Sequence, residues 1–125
     1  MTRPGRPVFL NPMQIQMPVG AVTSILHRVT GVLLAVGIPM SVYLLDRSLQ
    51  SEQAFTEILA LYTYWPVKAV AVIMVWALAF HILAGVRHLL SDFDVGASLR
   101  TARRAAWLVN LAGVAVALFA AGAML

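Results

Sequence analysis

His81-Ile-Leu-Ala-Gly85-Val-Arg87-His88-Leu-Leu-Ser91-Asp92 places two histidines, an arginine and an aspartate at the end of a long apolar run. Read as an α-helix, the stretch puts His81, Gly85, His88 and Asp92 on one stripe. Offsets of four, seven and eleven residues return nearly to the same azimuth. Arg87 points away from that stripe. Ionisable groups are costly in a bilayer, so a row of them on one face marks a functional site by default. The rest of the chain is read as what places this stretch, anchors it and faces it.

The composition supports a membrane reading. Of 125 residues, 61% are hydrophobic and only 11% charged, far from the balance of a soluble domain. The chain has no cysteine. That excludes disulfides, thiolate metal sites, iron–sulfur ligation by this chain and covalent haem attachment through a Cys-x-x-Cys-His motif. The net charge of +4 does not argue for nucleic acid, because Arg3, Arg6, Arg100, Arg103 and Arg104 flank apolar runs.

Three spans follow, at about 19–45, 62–90 and 105–125, each with roughly the twenty residues that cross a bilayer. The expected fold is all-α. It has one transmembrane domain over 19–125, preceded by a proline-rich cytoplasmic segment over 1–18 that lacks the apolar core of a signal peptide. The first span contains Pro39, which membrane helices tolerate when neighbours satisfy the freed carbonyl. Its start carries Ser24, His27 and Arg28, with Gly20, Ser24 and Gly31 near one face. A short polar connection over 46–56 leads to Tyr62, Tyr64 and Trp65, an aromatic cluster suited to the interface. Ser91 to Arg104 reads as the second connection. Arginines in the N-terminal segment and in this second connection put both in the cytoplasm and the C-terminal end of the third span outside.

That orientation brings the beginning of span one level with the end of span two. Ser24, His27 and Arg28 then share a membrane depth with His81, Arg87, His88 and Asp92. Two chemistries suit such a cluster. Imidazole is a common axial ligand of haem iron. His81 and His88 lie about 10 Å apart along a helix and cannot serve one iron together. The deeper His81 is the better ligand, and His88 with Arg28 could meet propionates nearer the surface. Gly85 would leave room for a flat macrocycle. The sixth ligand comes from His27 or from a second chain, and three spans enclose a haem so thinly that a partner subunit is favoured. The competing possibility is that the histidines pair with Asp92 or with backbone groups. The second chemistry is quinone reduction: Ser24 offers a hydroxyl, Arg28 a charge that stabilises reduced oxygens, and Asp92 or a histidine a proton path. Equally, Arg28 could be a snorkelling anchor and Ser24 a packing residue.

Ser24-Ile-Leu-His27-Arg28-Val-Thr30-Gly31 resembles the first signature of the large, cytochrome b556 type of succinate dehydrogenase membrane anchor. His81-x-x-x-Gly85-Val86-Arg87-His88-Leu89 resembles the second, and Arg6-Pro7 fits the N-terminal pattern. The likeness covers essentially the whole chain. It departs at Ser91, where an aromatic or methionine is usual, at Asp94, usually small, and at Pro12, often aliphatic.

The resemblance implies one of two anchors of complex II in a bacterial inner membrane, forming a heterodimeric transmembrane bundle with a small anchor subunit. An iron–sulfur subunit and a flavoprotein subunit that oxidises succinate complete the assembly. It implies a haem b with His81 as one axial ligand and the other on the small anchor. Ser24 and Arg28 are implied at a ubiquinone site, Arg28 and His88 near the propionates, and Asp92 as a possible proton relay. His27 belongs to the motif without a defined role. Alternatives are a structural anchor without functional haem, the anchor of a quinol:fumarate reductase, and a small transporter. The last would call for a mid-span acid and broken helices, and the mid-spans contain no acid.

Overall fold

A computed structural model of the chain describes residues 18–125. Arg3, Arg6-Pro7, Pro12 and almost all of the N-terminal segment therefore lie outside the described residues. Four helices follow one another: α1 (Val19–Ser48), α2 (Glu52–Leu61), α3 (Trp65–Asp92) and α4 (Leu99–Met124). Three of them, α1, α3 and α4, are long and apolar enough to cross a membrane. They pack on one another, with α3 against both neighbours and α1 also touching α4, while α2 lies against α1. α1 runs unbroken through Pro39.

Two boundaries differ from those expected. The first connection is not simply a polar loop, since α1 continues to Ser48 and the ten-residue α2 follows. Ser51 caps α2 by accepting from the Ala54 amide at 3.0 Å, and Gln53 donates to Glu57 one turn on. The third span begins at Leu99 rather than near Ala105. Ser98 caps it by accepting from the Thr101 amide at 3.3 Å, so Arg100, Arg103 and Arg104 lie within helix. Arginine is a good helix former, and its charge does not stop a helix that has left the hydrocarbon.

The turn between α3 and α4 is set by its backbone. Beyond the C-cap at Phe93, Asp94 adopts the left-handed region (φ 56°). The Val95 amide donates to Leu90 O at 2.9 Å and the Asp94 amide to Ser91 O at 3.1 Å. This is a Schellman ending, with Asp94 at the position where glycine is commonest. Aspartate reaches that conformation more readily than most L-residues. The second positive φ is taken by Gly96 (73°).

The core is narrow. Phe80 and Ala84 of α3 and Val109 of α4 are buried together, with Leu26 of α1 and Trp76 packed on them. Gly113 of α4 sits so close that a Cβ there would meet Phe80 Cδ2 at 2.8 Å, which lets the α4 backbone approach the ring. Most other large apolar side chains point outward; Val36 is 71% and Phe119 81% exposed. Among the described residues two polar side chains are fully buried, Thr23 and Thr30 of α1. Thr23 Oγ1 lies 3.0 Å from Val19 O and 2.9 Å from the Asn110 side-chain oxygen. One hydroxyl proton cannot serve both. With the amide turned over, its NH₂ donates to Thr23 while Thr23 donates to Val19 O.

Candidate haem and quinone site

α1 and α3 run antiparallel, so the first turns of α1 meet the last turns of α3. A Cβ at Gly20 would lie 3.3 Å from Arg87 Nη2, and one at Gly31 would lie 3.1 Å from His81 Cε1. The two motifs thus come together at one end of the bundle, as their expected depths require.

Their meeting point is a column of three imidazoles. His27 of α1 stacks on His81 with centroids 4.1 Å apart and planes 18° apart. Its other neighbour is His88, at 4.9 Å and 32°. The sequence offered His27 only as one of two sources for a sixth ligand, and it is the ring that joins the two histidines of α3. The space at Gly85 is taken by this ring: a Cβ there would lie 3.5 Å from His27 Nε2. Gly85 therefore accommodates an imidazole, where sequence reasoning had assigned the room to a macrocycle.

The tautomer of His81 follows from its neighbours. Its Nδ1 is 3.0 Å from the His27 carbonyl oxygen and 3.1 Å from Thr30 Oγ1. A carbonyl only accepts, so Nδ1 carries a proton, and in the neutral ring this leaves the lone pair on Nε2. Thr30 Oγ1 itself donates to the same carbonyl at 2.9 Å. His88 Nδ1 likewise donates to Ala84 O, one turn back on its own helix, at 2.8 Å. Both α3 histidines are thus tied to backbone through Nδ1 rather than to Asp92.

Ser24 is half-buried and Arg28 exposed, side by side along one edge of α1. Asp92 is exposed as the last residue of α3. Among the described residues none of these three side chains makes a hydrogen bond or an ion pair. Arg87 stays off the histidine stripe. Its Nη2 reaches toward Ala102 O of α4 at 3.5 Å, and its buried Nε has no partner among the described residues.

The donor set fits a b-type haem. A half-buried imidazole with a free Nε2 and a bonded Nδ1–H is the form that ligates iron. No group of three or more His, Cys, Asp or Glu among the described residues could hold a bare metal ion. A haem iron, already held by four pyrrole nitrogens, needs no such cluster. A cavity of about 610 Å³ lined by α1, α3, Tyr62 and Met124 is bordered by residues other than Ser24, Arg28, His81 and His88.

The chain is 36% identical over 106 residues to a succinate dehydrogenase cytochrome b556 subunit of Coxiella burnetii, covering 83% of this chain and 84% of that one. It is 29% identical over 117 residues to the cytochrome b556 subunit of Paracoccus denitrificans, covering 94% and 90%. Residues 2–121 match the model of the succinate dehydrogenase/fumarate reductase transmembrane subunit. With two motifs meeting at one membrane depth and a match that spans nearly its whole length, the chain belongs to the family of succinate dehydrogenase/fumarate reductase transmembrane subunits.

Proposed function

We propose that the chain is the large membrane anchor of a succinate:quinone oxidoreductase, holding one haem b with a small anchor subunit and forming part of the ubiquinone-reduction site. The observation that carries this reading is His81, whose Nδ1–H is held by α1 and whose Nε2 is left for iron. The haem would supply a one-electron store beside the quinone. His81 would hold its iron through Nε2, and His88 and Arg28, at the same end of the bundle, are the groups that would meet its propionates. The site would be completed by the small anchor and the iron–sulfur subunit, and succinate oxidation belongs to the flavoprotein subunit. The chain does not oxidise succinate itself.

Ser24 and Arg28 sit one turn apart and present a hydroxyl and a fixed positive charge to the same side. Reduction puts negative charge on the quinone oxygens, and both groups stabilise it more in the reduced than in the oxidised state. Asp92, exposed at the end of α3, is the residue that would relay protons from the cytoplasm. In the assembled complex, Ser24→Ala and Arg28→Leu are expected to lower succinate-to-quinone turnover by at least about tenfold, the effect of losing a hydrogen bond to a charged group. Succinate oxidation with a soluble artificial acceptor stays unchanged. Full quinone turnover in both variants would remove these residues from the site.

The proposed location is a bacterial inner membrane. Arg100, Arg103 and Arg104 at the start of α4 lie on the cytoplasmic side, with the first connection, where Arg47 is offset by Asp46, Glu52 and Glu57, on the periplasmic side.

A further inference from the structure

The turn of α1 from His27 to Gly31 surrounds the imidazole of His81 on three sides. The His27 ring covers its face at 4.1 Å. Gly31 lies against Cε1, where even a Cβ would approach to 3.1 Å. Thr30 Oγ1 and the His27 carbonyl both lie within 3.1 Å of Nδ1. Thr30 is fully buried, so its hydroxyl has no water to turn to. It donates to the His27 carbonyl and, through its lone pair, shares the Nδ1 proton with that carbonyl. The arrangement is a closed triangle of one hydroxyl, one carbonyl and one ring N–H.

We infer that Thr30 is a positioning residue for His81. Its hydroxyl, whose proton is committed to the His27 carbonyl, adds a second acceptor to the Nδ1–H and holds the ring orientation, and thereby tunes the reduction potential of the iron that Nε2 would bind. The inference rests on the haem reading above. The physical reason is that a hydrogen bond from Nδ1–H to an acceptor makes the imidazole a stronger donor through Nε2. A stronger donor favours the ferric state and lowers the potential, which is how second-shell hydrogen bonding adjusts a haem. The helix carbonyl alone is a poorer partner, because its lone pairs also serve its own helix. Threonine supplies a second acceptor on the same helix, and its β-branch limits the rotamers that its hydroxyl can take.

The test uses the assembled complex with all its subunits, in wild-type, Thr30→Val, Thr30→Ser and His81→Ala forms. Haem content, the midpoint potential by redox titration, and the low-spin electron paramagnetic resonance signal of the oxidised haem are measured in each. Thr30→Val, which keeps shape and removes the hydroxyl, is expected to retain haem, raise the midpoint potential and shift the resonance. Thr30→Ser, which keeps the hydroxyl, is expected to stay near the wild type in both. A Thr30→Val complex with wild-type potential and resonance would overturn the inference. So would loss of assembly in Val and Ser variants alike, since that result assigns Thr30 to helix packing. The His81→Ala form separates the two levels: an unaltered haem there overturns the haem reading itself, whereas its loss together with an unshifted Thr30→Val leaves that reading standing and removes only Thr30.

Discussion

At the scale of single residues, small side chains set the geometry of the histidine column. Gly31 gives His81 its place, and Gly85 gives His27 its place, but the two clearances differ. A Cβ at Gly85 would make ordinary van der Waals contact at 3.5 Å, whereas one at Gly31 would press on His81 Cε1 at 3.1 Å. Gly31→Ala is therefore expected to displace the ring and disturb the haem absorption of the complex, while Gly85→Ala leaves it close to wild type. Optical spectra of the two variants check this, and equal spectra would contradict the asymmetry. His81 and His88 were legible in the sequence as one stripe, because the period of a single helix is fixed. The stacking of His27 and the hydrogen bond of Thr30 on His81 were not. Their roles depend on the rotation of α1 against α3, and no spacing along either helix encodes that angle.

Among the elements, the three spans were legible because hydropathy over twenty residues leaves few alternatives. α2 was missed: ten residues beside an aromatic cluster merge with the connection around them. The early start of α4 was missed because its first turns are arginine-rich rather than apolar. The contact between α1 and α4 includes a polar pair, the buried Thr23 with the half-buried Asn110. Asn110 stands alone among apolar neighbours, and that isolation was the available signal. Polar bonds between membrane helices contribute modestly, on the order of 1 kcal/mol. Thr23→Val and Asn110→Leu are each expected to cost about that much, with the double variant costing no more than either single one. Unfolding in mixed detergent micelles measures the cycle, and additive losses would show that the pair does not couple.

At the scale of the whole molecule, the narrow core and the exposed apolar flanks describe a chain built to be surrounded. The orientation proposed for it is open to direct test, because the sequence contains no cysteine. Single cysteines placed at the exposed Gln53 and Val95 should label from the periplasm and from the cytoplasm respectively. The opposite pattern would invert the topology.

The central claim is that His81, held at Nδ1 by α1, binds the iron of a haem shared with a second chain. The reduced-minus-oxidised optical spectrum of the purified complex tests it most directly. A b-type signal is expected in the wild type, and its loss or change to a different ligation state is expected after His81→Ala, with the subunits still assembled. A wild type without that signal, or a His81→Ala complex whose spectrum matches the wild type, would contradict it.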